Sequence, residues 1–219
     1  MPRKPDPTLK PAIIEKVALH LRDTKIEDVS VRSLGRVLGT SAYPIVYHFG
    51  SRDALIDAVV EHLAGVATAT LDPGDGPAAL EHWLEAVFGG LDDPERALAV
   101  RLAFELGAVE SLDGRDREHT AHRAHVATIA AWCQGHGLDR SAAERAAHDA
   151  VTAARGLQWA SLVDPDHTDV DAGLRTLATD LVARAAAAAA EPTGSRTAVA
   201  ASQQAPARTA GATPTPSSV

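Results

Sequence analysis

Cysteine is nearly absent. The single thiol among 219 residues is Cys133, so no internal disulfide can form and a reducing, cytoplasmic setting is expected. Cys133 sits among apolar neighbours, which predicts a buried and inert thiol rather than a redox switch. No apolar run approaches the roughly 20 residues that a membrane-spanning helix needs, and MPRKPDPTLKP at the start has no apolar stretch behind its basic residues, as a secretory leader would. Alternating strand patterns are missing throughout, which makes the expected fold class all-α. Also missing are a nucleophile–base motif, a phosphate-binding loop and a closed set of metal ligands, so an enzyme is not expected, nor a metal or other cofactor.

What is present is an uneven charge. The chain carries −8 overall, which argues against a polyphosphate partner until the distribution is considered. Residues 1–52 hold nine Lys/Arg (Arg3, Lys4, Lys10, Lys16, Arg22, Lys25, Arg32, Arg36, Arg52) against five acids (Asp6, Glu15, Asp23, Glu27, Asp28), an excess of four positive charges. The remaining 12 basic and 24 acidic residues make 53–219 strongly acidic. A basic head on an acidic body suits a chain that sets one end on nucleic acid.

Periodicity divides the chain into a mobile Pro-rich arm (1–9), a small head (10–52), a helical body (53–190) and a disordered tail (191–219) rich in Pro, Thr, Ser, Gln, Gly and Ala. The first helix is expected over Lys10–Arg22, with Ile13, Ile14, Val17, Ala18 and Leu21 on its buried side. Ser30 is a suitable cap for a second helix in which Val31, Leu34 and Leu38 face inward, and Gly39 ends it. Ser41 can cap a third helix, Ala42 to Phe49, with Pro44 in its first turn and Ile45 and Phe49 inward. That leaves Tyr43, Val46, Tyr47 and His48 largely outward. The fourth helix is expected from Arg52 to about Thr70, striped by Leu55, Ile56, Val59, Val60, Leu63 and Val66, until LDPGDGP breaks it. Five further helices follow, at about Ala78–Gly89, from 92–95 to Gly107, Arg115–Gln134, Ala142–Leu162 (with Ser141 as cap) and Val170–Ala190.

Two short helices joined by a tight turn have a direct physical use. One fits the major groove of B-DNA and reads base edges, while the other braces against the backbone. On this reading Ser41, Ala42, Tyr43, Tyr47 and His48 face the groove, and Ser30, Arg32 and Arg52 hold the phosphates.

The stretch carrying Ser30, Arg32, Leu34, Leu38, Gly39, Ser41, Ile45, His48, Phe49, Arg52 and Leu55 resembles the DNA-binding domain of the TetR family of transcriptional regulators. It has that family's Ser/Thr-capped helix, Leu-Gly-x-Ser turn, and His-Phe before x-x-Lys/Arg-x-x-Leu, and the likeness covers roughly residues 10–65. It departs from the family at Lys25 (often Gly), Gly35 (usually Ala) and Val46 (usually a Tyr that touches a phosphate). Tyr47 next door can supply a hydroxyl from a different angle. The resemblance implies a helix-turn-helix head joined by a long helix to a ligand-binding and dimerisation body. It also implies a homodimer through the last two long helices, a palindromic double-stranded DNA operator, and a repressor released by a small-molecule effector.

Candidates for an effector pocket are His62, Trp83, Phe88, Phe104, Trp132 and Trp159, although aromatics at helical spacing are more often core. His119, His122 and His125, with His148 as a fourth, invite an alternative metal-dependent or enzymatic reading. Positions i and i+6 on a helix point apart, and Arg115, Arg117 and Arg123 surround them, so a polar solvated face is the expectation. A further alternative is a head that no longer binds DNA, for which Val46 is the hint.

Overall fold

The head is held together by side chains that the helical repeat places on one stripe. In the computed structural model, which describes residues 8–41, 43–64, 69–112 and 114–190, α1 (Leu9–Leu21) buries Ile13, Val17, Ala18 and Leu21. A 3-10 turn at Ile26–Asp28 leads to α2 (Val31–Leu38), followed by α3 (Tyr43–Phe49) and α4 (Arg52–Ala64). Leu34 of α2, Ile45 of α3 and Leu55, Ile56 and Val59 of α4 are almost wholly shielded from water and pack with the α1 stripe. Ala42, Val66, residues 1–7 of the expected arm and the whole expected tail lie outside the described residues.

Local chemistry sets the α2–α3 turn. Ser30 and Ser33 form a reciprocal capping box, with Ser33 N–H donating to Ser30 Oγ at 3.1 Å and Ser30 N–H to Ser33 Oγ at 2.8 Å. At the other end Gly39 adopts a left-handed φ of 66°, a conformation costly for a residue with a Cβ. Its N–H donates to Arg36 O, and Thr40 N–H to Gly35 O, closing a Schellman motif. Ser41 Oγ then accepts from Tyr43 N–H at 3.3 Å.

The body comprises α5 (Pro77–Phe88), α6 (Pro94–Gly107), α7 (Arg117–Gly135), α8 (Arg140–Val163) and α9 (Val170–Ala190). Among the described residues there is no strand, and no helix is long and apolar enough to cross a membrane. A second core gathers Leu80, Trp83, Leu84 and Phe88 of α5, Ile129, Trp132 and Cys133 of α7, Val151 of α8 and Leu174 of α9. Small buried residues on α8 (Ala143, Ala146, Ala147, Ala150, Ala154) let its neighbours approach closely. The 71–76 loop is tied to α7 by Trp132 Nε1, which donates to Asp75 O at 2.8 Å.

α6 belongs to both halves. Its Leu98, Leu102 and Leu106 complete the core of the head. The same face carries Arg101, whose guanidinium donates to Leu21 O, Arg22 O and Thr24 O at the end of α1. Glu105 accepts from Ile26 N–H at 3.2 Å and pairs with Arg101. The boundary at residue 52 therefore follows charge along the chain, whereas the packing of the head runs on through α4 and into α6.

Several helix ends differ from expectation. α4 does not extend to Thr70, since Ala69 and Thr70 are already outside it. α5 begins at Pro77, which suits a first helical position because its missing N–H would have had no partner there. α7 starts at Arg117 rather than Arg115. The cap comes from a distance: Glu110, only 8% exposed, accepts from Glu118 N–H and His119 N–H. α8 starts at Arg140, capped by Asp139, whose Oδ1 accepts from Ala142 N–H at 2.9 Å. Ser141 falls inside the first turn, where its hydroxyl accepts from Arg145.

Candidate nucleic-acid interface and body cavity

α3 is seven residues long and buries only Ile45 completely. A helix this short has no second inward face, so its other large side chains stand in water: Tyr43 is 69%, Tyr47 59% and Val46 53% exposed. They are not loose. Tyr43 and Tyr47 stack with ring centroids 5.7 Å apart, and the His48 ring meets Tyr47 edge-on at 4.9 Å. Contacts of this kind restrict the rotamers of both tyrosines before any partner arrives. Ser41, Arg32 and Arg36 are exposed in the same head, and Lys10 Nζ lies 5.3 Å over the Phe49 ring. Arg36 and Lys10 could be singled out in the sequence only as members of the basic count; their exposure and placement come from the fold.

Two of the expected phosphate ligands have other employment. Ser30 spends its hydroxyl and its N–H on the capping box. Arg52 reaches back under the linker that precedes α2: Nε donates to Val29 O at 2.6 Å, Nη2 to Ile26 O, and Nη1 to Asp53 Oδ1 at 2.7 Å. Each nitrogen of its guanidinium therefore already has an acceptor. This side chain braces the first turn of α4 against the loop that aims α2.

In the body, the six aromatic and histidine candidates scatter. Trp83, Phe88 and Trp132 are core, no more than 4% exposed. His62 is exposed on α4. Phe104 and Trp159 meet edge to face at 5.6 Å and line a groove of about 420 Å³ with His122 and Arg155. None of the six lines the half-open cavity of about 300 Å³ bordered by α4 to α8. Its walls are Val60, Leu63, Val87, Leu91, Ala99, Val100 and Ala103 on the apolar side. Arg96, Arg117, Glu118, His125, Arg155 and Gln158 form the polar side, with Glu61 at the edge. Helical spacing marks large inward residues, but a cavity lies where small ones leave space, and that depends on how five helices pack.

The histidines of α7 do not converge. His125 turns inward, edge-on to Trp83 at 5.9 Å and to Phe88 at 5.2 Å. Burial, then the Arg155 guanidinium, then His122, lower its pKa to about 4. His122 faces His148 across 5.6 Å in a groove between α7 and α8 that His119 also lines. Burial, followed by His148, Arg155 and His119, lowers the His122 pKa as well. Among the described residues no three His, Cys, Asp or Glu side chains are grouped to hold a metal ion.

No family model matches this sequence, and no curated protein does. Solved structures do match. A transcriptional regulator from Rhodococcus sp. Rha1 superposes with a TM-score of 0.67 at 16% identity, covering 80% of this chain and 96% of that one. A TetR-family transcriptional regulator from Rhodococcus sp. superposes with a TM-score of 0.57 at 22% identity, with the same coverage. The all-α fold expected from the sequence is therefore the fold of these regulators.

Proposed function

We propose that this chain, which has the fold of TetR-type regulators, is a cytoplasmic, homodimeric, sequence-specific DNA-binding transcription regulator. It represses by occupying a palindromic operator and is released when a small molecule enters its body. The observation that carries this reading is the Tyr43–Tyr47–His48 cluster: mutually packed aromatic side chains on a short helix in the basic N-terminal head of an acidic chain. Such a helix lies in the major groove, with Ser41, Tyr43, Tyr47 and His48 toward base edges and Arg32 and Arg36 toward phosphates. Arg52 acts one step back, by fixing the linker and hence the angle of α2.

One such head covers too little DNA for firm binding, whereas two at a fixed separation occupy both halves of a palindrome. The outward side of α8 favours a second copy as the partner. Thr152, Ala153, Gly156, Trp159 and Val163 are exposed along it, and small residues there admit a facing helix. Release has a material route through α6. One face of that helix (Arg96, Ala99, Val100, Ala103) lines the body cavity, and the other (Leu98, Arg101, Leu102, Glu105) is locked to α1 and the linker. A ligand that displaces α6 must move the head with it.

The test is selection of bound fragments from random duplex DNA, followed by a salt titration on the selected site. An inverted repeat is the expected outcome, and absence of any enrichment overturns the proposal. Tyr43→Ala should alter the preferred bases at one or two positions of each half-site, at a cost of about 1–3 kcal/mol on the parental sequence. An unchanged preference would move the recognition surface elsewhere.

A further inference from the structure

Arg155 has more donors than hydrogen-bond acceptors around it, its guanidinium lying also 5.7 Å over the Phe88 ring. It projects from α8 into the wall between the 300 Å³ cavity and the Phe104–Trp159 groove, with its side chain 24% exposed. A guanidinium has five N–H donors, but among the described residues it makes one hydrogen bond, from Nη1 to Gln158 Oε1 at 3.1 Å. Its facing carboxylate, Glu118 Oε2, stands 3.7 Å from Nη2, beyond hydrogen-bond reach. Glu118 instead leans toward Arg117, 3.1 Å away. Gln158 cannot turn to offer more. It is 1% exposed, and its Nε2 is spent on Phe88 O at 2.9 Å.

Two buried nitrogens on the same lining also lack a hydrogen-bond partner among the described residues. Arg117 Nη1 is buried without a hydrogen bond, held 3.6 Å from Asp57. His125 Nδ1 is buried and likewise has no hydrogen-bond partner among the described residues. A buried nitrogen left without a partner is costly, whereas the open donors of Arg155 reach solvent and are met by water that a ligand acceptor can replace. The lining residues Val60, Leu63, Val87 and Val100 offer no acceptor.

We propose that the cavity between α4 and α8 takes a small organic carboxylate with an apolar body, its carboxylate paired to the N–H groups of Arg155 that have no acceptor and its body against the aliphatic residues of the lining. This rests on the regulator reading for its consequence but not for its chemistry. The planar fork of an arginine matches a carboxylate in two parallel bonds, and the volume lies at the small end of the range for ligand sites. Glu118 and Glu61 on the same lining limit the guest to a single negative charge.

The experiment is isothermal titration calorimetry of the full chain, without DNA, using sodium octanoate and sodium phenylacetate, each beside its neutral amide. At least one acid should bind about tenfold or more tightly than its amide. Arg155→Met should erase that preference, its folding being checked by circular dichroism. Glu118→Gln, which removes the competing carboxylate, should raise the acid-to-amide ratio and serves if Arg155→Met does not fold. The inference is overturned if neither acid binds, if acid and amide bind alike, or if Glu118→Gln lowers the ratio. Intact operator binding without acid binding would sink this inference alone; acid binding without DNA binding would sink the regulator reading alone.

Discussion

Arg52→Gln separates two physical roles for one residue. As a phosphate contact, Arg52 would contribute to DNA affinity and nothing to folding. As the brace observed here, it contributes to folding first. Its guanidinium donates to two backbone carbonyls of the linker, Val29 O at 2.6 Å and Ile26 O, with Asp53 as the third acceptor. Hydrogen bonds from a charged group are worth about 1.5–3 kcal/mol each. The side chain is 28% exposed, so water relieves part of the loss and screens the Asp53 pair. A net cost of about 2–3 kcal/mol remains, which in a protein of this size lowers Tm by roughly 4–12 °C. The assay is thermal unfolding by circular dichroism, paired with DNA affinity at several salt concentrations well below Tm. The slope of log K against log salt should match the parent, because no phosphate charge has been removed. A Tm within a degree of the parent together with a slope shallower by about one would refute the brace and restore the phosphate contact.

Three further outcomes are expected. His125 has a folded pKa of about 4 against an ordinary 6.5, so below 6.5 the unfolded chain binds the extra proton. Its contribution is complete above pH 6.5 and is lost as pH falls toward 4, by at most about 3 kcal/mol. His125→Phe should flatten that window in urea unfolding, and an unchanged difference between parent and variant across it would contradict the burial. Gly135→Ala should destabilise by more than about 2 kcal/mol, because a Cβ there would lie 2.0 Å from Pro73 O, a backbone atom of the packed 71–76 loop; a Tm equal to the parent's would show that the loop is free to move. Cys133 is 0% exposed, and burial pushes its thiol up to about 11, so a thiol reagent at pH 8 should modify it orders of magnitude more slowly in native protein than in urea. Comparable rates would place it at the surface.

Legibility in the sequence followed the range of the interaction responsible. The α2–α3 unit was readable because its causes are local: a Ser cap, a glycine in a left-handed turn and apolar residues three and four apart, all within a dozen positions. The exposure of Tyr43 and Tyr47 followed from the same arithmetic, since a helix of seven residues with one buried stripe has no other place for them. The first residues of α7 and α8 differ from the sequence expectation for opposite reasons. Asp139 caps α8 locally, two positions before the serine that the sequence also offers, whereas Glu110 caps α7 across an intervening loop that no local pattern marks.

The sequence by itself determined that this is a helical protein with a basic helix-turn-helix head, because period, caps and charge are properties of neighbouring residues. Only the tertiary structure decided which charges remain available. Arg32 and Arg52 look equivalent along the chain, but one is exposed and the other is consumed by the carbonyls of Ile26 and Val29. Arg155, one of several arginines in an acidic body, is left with donors facing a cavity. Whether a guanidinium is spent or free depends on what packing brings within three ångströms of it, and packing joins residues that are far apart in the chain.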